Sequence, residues 1–237
     1  MQFNAGRRLR LYGNAYRFSQ LTDTYDLNRM ADAIDVTVHE NNDRNFVASL
    51  RSGGAQWGGI HDGSTARADE IIASQLGSTA VNVWTACLEG DAVGSIAHLY
   101  RAREKQLNVS SPAAGRVGVT GQHDATDHIM NGRVQIQGTI LTATTGAKAS
   151  VDNGAASTLG GVGHFHLTDL GASITVKVQH SSAGSAWADL LTFTSTGAHY
   201  AHLETTGLAI KRFTRGICTA VSGSTARIAV AFARKTA

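Results

Sequence analysis

Residues 34–63 read IDVTVHENNDRNFVASLRSGGAQWGGIHDG. The stretch opens with strict alternation: Ile34, Val36 and Val38 fall on one face of an extended strand, and Asp35, Thr37 and His39 on the other. A polar excursion follows through Glu40, Asn41, Asn42, Asp43, Arg44 and Asn45, with neither glycine nor proline to make it a tight turn. Phe46, Val47 and Leu50 resume the apolar signal, and Gly53-Gly54 and Gly58-Gly59 punctuate the run that follows. A strand joined to an exposed, richly hydrogen-bonding excursion suits a protein that joins itself to neighbours. Nothing in the segment is patterned to hold a substrate.

The bulk properties around this stretch agree. The 237 residues suffice for one large β domain or two smaller ones, and 42% apolar content supports a core. Only 16% of residues are charged, against roughly 25% in ordinary globular proteins, so the expectation is a surface that becomes covered in an oligomer. The net charge of +3 is mild. Basic residues gather weakly toward the ends, at Arg7, Arg8, Arg10, Lys211, Arg212, Arg215, Arg234 and Lys235, without the interleaved aromatics of a single-strand nucleic-acid groove. Cys87 and Cys218 read as two buried free thiols of a cytosolic product. The N-terminal residues lack the apolar segment of a signal peptide, and no run approaches the roughly 20 apolar residues of a membrane span. The expected location is a cytoplasm until assembly, with no membrane partner.

Most of the remaining chain also reads as β. Alternation marks residues 9–16, 81–85, 117–120, 133–142, 174–179, 210–218 and 226–233 as strands, with Phe165 and Leu167 sharing a face of another. Residues 174–179 are the cleanest, with Ile174, Val176 and Val178 inward and Thr175, Lys177 and Gln179 outward. In the last strand Ile228, Val230 and Phe232 oppose an all-alanine face, Ala229, Ala231 and Ala233, which predicts burial on both sides. One helix is expected over residues 65–76: Ser64 or Thr65 caps it, Asp69 and Glu70 favour its N-terminal end, Ala68, Ile71, Ile72 and Leu76 form its apolar stripe, and Gly77 stops it. The spacing of Ile96, Leu99, Tyr100 and Leu107 predicts a second helix over 95–107. The Thr-, Ala- and Gly-rich residues 142–163 suggest a soft boundary, dividing a mixed part, 1–145, from a purely β part, 146–237.

The search for chemistry returns only weak patterns. His164-Phe165-His166 reads as two surface histidines flanking a buried phenylalanine; the same spacing places two imidazoles on one side of a strand, as a Zn²⁺ or Cu²⁺ pair requires, but no accompanying ligand motif supplies the rest. His123-Asp124 and Asp127-His128 read as a solvated turn, with acid–base or metal work as the sharper alternative. Asp23, Asp26 and Asn28 lack the bidentate glutamate of a calcium loop. No nucleophile elbow or phosphate loop is present. The expectation is therefore a protein that is not an enzyme, with no catalytic, cofactor-binding or metal residues. Trp187, after the polar turn 180–186 and before Leu190-Leu191, reads as an indole anchored in the core; the alternative is a sugar-stacking surface.

Three segments, in order, resemble the major tail tube proteins of long-tailed (siphovirus-like) bacteriophages. The first is Ile34-Asp35-Val36-Thr37, then Asp43-Arg44-Asn45-Phe46, Trp57-Gly58-Gly59 and Asp62-Gly63. The second is Leu88-Glu89-Gly90-Asp91-Ala92-Val93-Gly94, a segment around Tyr100, and Val117-Gly118-Val119-Thr120. The third is residues 176–191 with Lys211-Arg212-Phe213-Thr214-Arg215. The similarity spans about residue 30 to the end. It implies a mainly β, barrel-forming β-sandwich with one flanking helix at about 65–76 and a β-rich C-terminal part that is either tube wall or an appended domain. It implies rings of six single or three duplicated copies, stacked into a tube through which genome DNA passes without specific binding. It also implies tape-measure, tail-terminator and distal-tail partners, and a place in the virion tail after assembly in the host cytoplasm. Under it Glu40, Asn41, Asn42, Asp43 and Arg44 form the inter-ring assembly loop. Tube lumens of the family are usually acidic, and this chain departs from that in its slight positive charge. The alternative reading is a capsid decoration protein or a carbohydrate-binding β-sandwich module of a virion.

Overall fold

The computed structural model describes residues 8–38, 43–61, 68–140, 147–168, 173–222 and 226–235. In chain order the first strands are β1 (Arg10–Gly13), β2 (Tyr16–Arg17), β3 (Thr22–Asp35) and β4 (Phe46–Ile60), followed by the helix α1 (Ala68–Gln75). Next come β5 (Asn82–Cys87), β6 (Ile96–Ser110), β7 (Gly118–Ala125), β8 (Met130–Ile140) and β9 (Val151–Asp152). The chain closes with β10 (Gly160–Leu167), β11 (Ser173–Ser181), β12 (Ala188–Ser195), β13 (His199–Thr206), β14 (Phe213–Ser222) and β15 (Ala226–Arg234). The protein is mainly β, built of antiparallel sheets with one short helix, as its alternating sequence anticipates. Two compact units interleave along it: residues 1–20, 82–99 and 130–237 form unit 1, and residues 21–81 and 100–129 form unit 2.

Unit 1 is a sandwich. Its larger sheet has the order β13-β10-β15-β8-β6-β5-β1-β2, in which β6 contributes Ile96–Leu99 against Met130–Arg133 of β8. Its smaller sheet has the order β12-β11-β14-β9. The period-2 pattern sends Phe165 and Leu167 of β10, Ile228, Val230 and Phe232 of β15 and Ile136 of β8 to one side. They meet Ile174, Val176 and Val178 of β11, Leu191 and Phe193 of β12 and Cys218 of β14. Burying each large side chain contributes about 1.5–3 kcal/mol. Phe165 and Phe193 stack with centroids 5.4 Å apart. The alanine face of β15 is buried as well, with Ala231 and Ala233 packed among Cys87, Ala97, Leu99 and Val134, so β15 is covered on both sides as its sequence indicates. Cys87 and Cys218 are buried and form no disulfide, and burial pushes the Cys87 thiol up to about 12, which leaves it unreactive.

Unit 2 is a sheet of order β3-β4-β7-β6, in which β6 contributes Ala102–Ser110, all antiparallel. Trp57 is its buried anchor. The indole lies across Gly121 of β7, where a Cβ would sit 2.5 Å from the ring, so only glycine allows the strand this close. α1 buries Ile72, and Gly77 beyond it has φ of 72°, the left-handed conformation that ends a helix. The expected cap, Ser64 or Thr65, lies outside the described residues.

Several local expectations are corrected. Residues 95–107 are not a helix: β6 runs through them. Leu99 and Tyr100 are both buried, which erases the alternation and leaves a spacing that mimics a helical stripe. The expected strand over 9–16 is broken by Asn14, whose φ of 51° turns β1 back into β2. The strand expected at 34–39 ends at Asp35 and begins instead at Thr22, in a run whose alternation is confined to Tyr25, Leu27, Ala31 and Ala33.

Candidate assembly surface

β3 and β4 form a long hairpin of which only the base is built into the sheet. β7 pairs with β4 from Gly54 to Ile60 and no further. Beyond that point residues 28–35 and 46–53 pair only with each other among the described residues. At about 3.3 Å per residue this is roughly 25 Å of two-stranded ribbon. Burial follows the same boundary: Ala55 and Trp57 are in the core, whereas every described side chain of residues 28–38 is exposed.

The ribbon is apolar on both faces. Ile34 lies opposite Val47, so the two share a face. Phe46, next to Val47 on β4, occupies the other, and Leu50 projects where the register shifts between Ala31 and Ala33 of the opposite strand. Leu50 is 76% exposed, Phe46 53%, Ile34 54% and Val47 52%. Ile34, Val36 and Val38, which the sequence places on one face, are all exposed: among the described residues no layer covers them. Polar groups order the start of the excursion: Thr37 N donates to Asp35 Oδ1 at 2.9 Å, Asn45 N to Thr37 Oγ1 at 2.9 Å, and Val36 N to Asn45 O at 2.9 Å. The Thr37 hydroxyl also donates to Asp35 Oδ1 at 2.5 Å, and it and the Thr37 N–H hold the Asp35 carboxyl below its ordinary value. Asp43 and Arg44 are exposed beside this turn, and Glu40, Asn41 and Asn42 lie outside the described residues.

The other residues singled out in the sequence do not converge on one site. Within unit 2, His123 and Asp124 sit on opposite faces of β7, not in a solvated turn. Asp124 pairs with Lys105 at 3.1 Å. His123 is buried, with Nε2 2.9 Å from Tyr100 Oη and Nδ1 3.7 Å from Glu104 Oε2. Tyr100 Oη in turn lies 2.8 Å from Tyr25 Oη, and burial holds the Tyr100 phenol well above its ordinary value, in its protonated form. Asp127 accepts from Arg101 at 2.6 Å, on the strand next door. Asp23, on β3, pairs with Arg116. Among the described residues no group of three or more His, Cys, Asp and Glu is placed to hold a metal ion.

Within unit 1, the expectation of surface histidines is overturned: His164 and His166 are fully buried. They point away from Phe165 into the second face of the larger sheet. That sheet curls so that β1 and β5 lie over β10, and Thr85 of β5 bonds both rings. Trp187 is half-buried, not part of the core, and the Arg215 guanidinium caps one ring face at 4.1 Å. Arg215 continues to Gln179 Oε1 at 3.0 Å, and Gln179 to Asp189 at 2.7 Å, so the outer face of the smaller sheet carries a connected polar ladder.

The class defined by these features is an antiparallel β protein with a projecting apolar hairpin. No family model matches the sequence, and comparison with curated proteins finds no match. Among solved structures the chain is similar to a chain of the virion of a native gene transfer agent particle, at 12% identity and TM-score 0.43, over 54% of this chain and 97% of that one. It is similar to a chain from the tail of an empty gene transfer agent particle with C6 symmetry, at 11% identity and TM-score 0.42, over 54% and 97%. It is also similar to the Dit protein of phage SPP1, described as a hub adsorption apparatus in phages infecting Gram-positive bacteria, at 10% identity and TM-score 0.41, over 96% and 99%.

Proposed function

We propose that this chain is a structural virion protein that assembles with copies of itself into stacked rings, forming a phage tail tube that conducts genome DNA. The observation that carries the reading is the β3–β4 arm. A two-stranded ribbon in water is marginal by itself, and one with apolar side chains on both faces is stable and soluble only when another surface covers it. Self-association supplies that surface at every subunit. The long outer edge of β3 carries Asp23, Asp26, Arg29, Asp32 and Asp35, charges that oppose indiscriminate edge-to-edge pairing and leave the apolar distal faces as the selective contact. The sequence resemblance to major tail tube proteins supports the same reading.

In this proposal the tip segment, Glu40, Asn41, Asn42, Asp43 and Arg44, makes the inter-ring contact. The rings are hexameric or pseudo-hexameric, and head-to-tail stacking produces a filament. Tape-measure, tail-terminator and distal-tail proteins are the other partners, and DNA passes without base-specific contact. The protein works in the virion tail after assembly in the host cytoplasm, without catalysis. The sugar-binding alternative finds less support, because Arg215 already covers a face of the Trp187 ring. Sedimentation velocity over a concentration series tests the proposal: the expected result is growth by mass action to ring-sized and larger species. A monomer at every concentration overturns it.

A further inference from the structure

We propose that the closure of β1 and β5 over β10 in unit 1 is an acid-sensitive latch, held by a one-directional hydrogen-bond relay through His202, His164, Thr85 and His166 to the carbonyl of Asn14. The direction follows from the terminal acceptor. His166 Nδ1 lies 2.7 Å from Asn14 O, and a carbonyl only accepts, so Nδ1 carries the proton. In a neutral imidazole Nε2 is then the acceptor, and Thr85 Oγ1, 2.8 Å away, donates to it. The single hydroxyl proton is thereby used. Thr85 Oγ1 therefore accepts from His164 Nδ1 at 3.1 Å, and the Trp84 carbonyl, also 3.1 Å from that nitrogen, requires the same tautomer. His164 Nε2 is left as an acceptor, and His202 Nδ1 donates to it at 3.0 Å. His166 and His164 are thus fixed as Nδ1–H tautomers, and His202 carries a proton on Nδ1.

An added proton breaks this order. On His166 it places a donor against the Thr85 hydroxyl proton, and on His164 it places one against His202 Nδ1–H. The groups facing the relay do not compensate. From β1, the Tyr12 ring stacks on His166 at 5.6 Å and its phenol donates to Asp91 at 2.5 Å. Arg10 and Arg17 lie around that pair, and β5 brings the neutral thiol of Cys87. From β15, Ala229 and Ala231 flank the two rings. From β13 come Tyr200 opposite His166, His199 at the strand end, and Glu204, whose carboxylate is 3.9 Å from His202 Nε2 and is also paired with Lys235. The Glu204 carboxylate therefore stands at the outer end of the relay, beside His202 and not beside His166. Burial lowers His166 to about 4, with the Asn14 bond opposing the shift.

Two measurements on the full chain test the latch. The first is two-bond ¹H–¹⁵N NMR of the histidine rings at neutral pH. The relay requires a protonated Nδ1 and an unprotonated Nε2 in His164 and His166 and a protonated Nδ1 in His202, and an Nε2–H tautomer of His164 or His166, or an unprotonated Nδ1 in His202, overturns it. The second is amide hydrogen exchange, corrected for intrinsic rates. Opening that returns His166 from about 4 to an ordinary 6.5 raises the opening constant of residues 10–13 and 82–87 roughly 30-fold at pH 5 relative to pH 7.5. Residues 173–181 of the smaller sheet should keep their protection. Uniform acceleration in both segments, or none in the first, contradicts the proposal. Thr85→Val removes the central hydroxyl at nearly constant shape and is expected to abolish the tautomer order of His164 and His166; if that variant does not fold, the wild-type ring spectra still decide.

Discussion

Replacing Phe46 and Leu50 together by serine separates folding from assembly. Both project from the distal ribbon, and in the isolated subunit they are 53% and 76% exposed. Full burial of such a side chain contributes about 1.5–3 kcal/mol, and only the fraction still exposed remains to be gained on assembly. Scaling by exposure gives about 1.2 kcal/mol for Phe46 and about 1.5 kcal/mol for Leu50, together about 2.7 kcal/mol per arm contact. That is roughly a 100-fold weakening of each subunit association. Substitutions at exposed positions change folding stability by about 0.5 kcal/mol or less, so thermal and urea midpoints should stay at wild-type values. The assay is the concentration at which pelletable assemblies form, measured beside a urea melt of the same sample. The reasoning predicts a rise of about two decades in that concentration with an unchanged melt. Assembly at the wild-type concentration refutes it, and so does a large loss of folding stability, which would show that these side chains belong to the subunit core.

Three further outcomes follow from other parts of the molecule. Exchanging the charges at the arm tip, Asp43→Arg with Arg44→Asp, should leave circular dichroism and melting unchanged while blocking growth from single rings to tubes; tubes of normal length would remove the tip from the inter-ring contact. Gly121→Ala forces a methyl group to 2.5 Å from the Trp57 indole and should cost about 1–3 kcal/mol in urea unfolding, with a blue or red shift of tryptophan fluorescence marking the displaced ring. The third concerns pH. His166 is held at about 4 when folded against about 6.5 when unfolded, so between these values the unfolded chain binds more protons and stability rises with pH. The contribution is complete above pH 6.5 and is lost as pH falls toward 4, reaching about 2 kcal/mol at pH 5. A urea midpoint that is flat from pH 7 to pH 4.5 would contradict a neutral buried His166.

The sandwich of unit 1 was legible because strands such as β11 alternate apolar and polar residues and β15 alternates large and small apolar ones. Ile174, Val176 and Val178, or Ile228, Val230 and Phe232, carry their burial in their spacing. The alanines of β15 even announced a second covered face. The arm was legible only as an anomaly. Residues 22–33 alternate only weakly, through Tyr25, Leu27, Ala31 and Ala33, and beyond Leu27 every described side chain of the strand is exposed, so burial leaves little mark on the spacing. β6 was misread for a different reason: burial of neighbouring Leu99 and Tyr100 gave it the spacing of a helix. The histidine relay lay beyond local pattern altogether. His164 and His166 are adjacent on β10, but what buries them comes from Asn14, Thr85 and His202, which are distant in sequence. The excursion at 40–44 was visible as polar and free of turn residues, whereas the apolar ribbon that carries it became visible only in three dimensions.

In the proposed assembly the exposed arm is covered by another copy of this chain. Negative-stain electron microscopy of the purified protein, brought to high concentration and imaged beside the Phe46→Ser, Leu50→Ser variant, tests it most directly. The account predicts rings with an open centre that stack into tubes for the wild type, and dispersed subunits or isolated short-lived rings for the variant. Wild-type fields containing only single subunits, or tubes formed equally by both proteins, would contradict it.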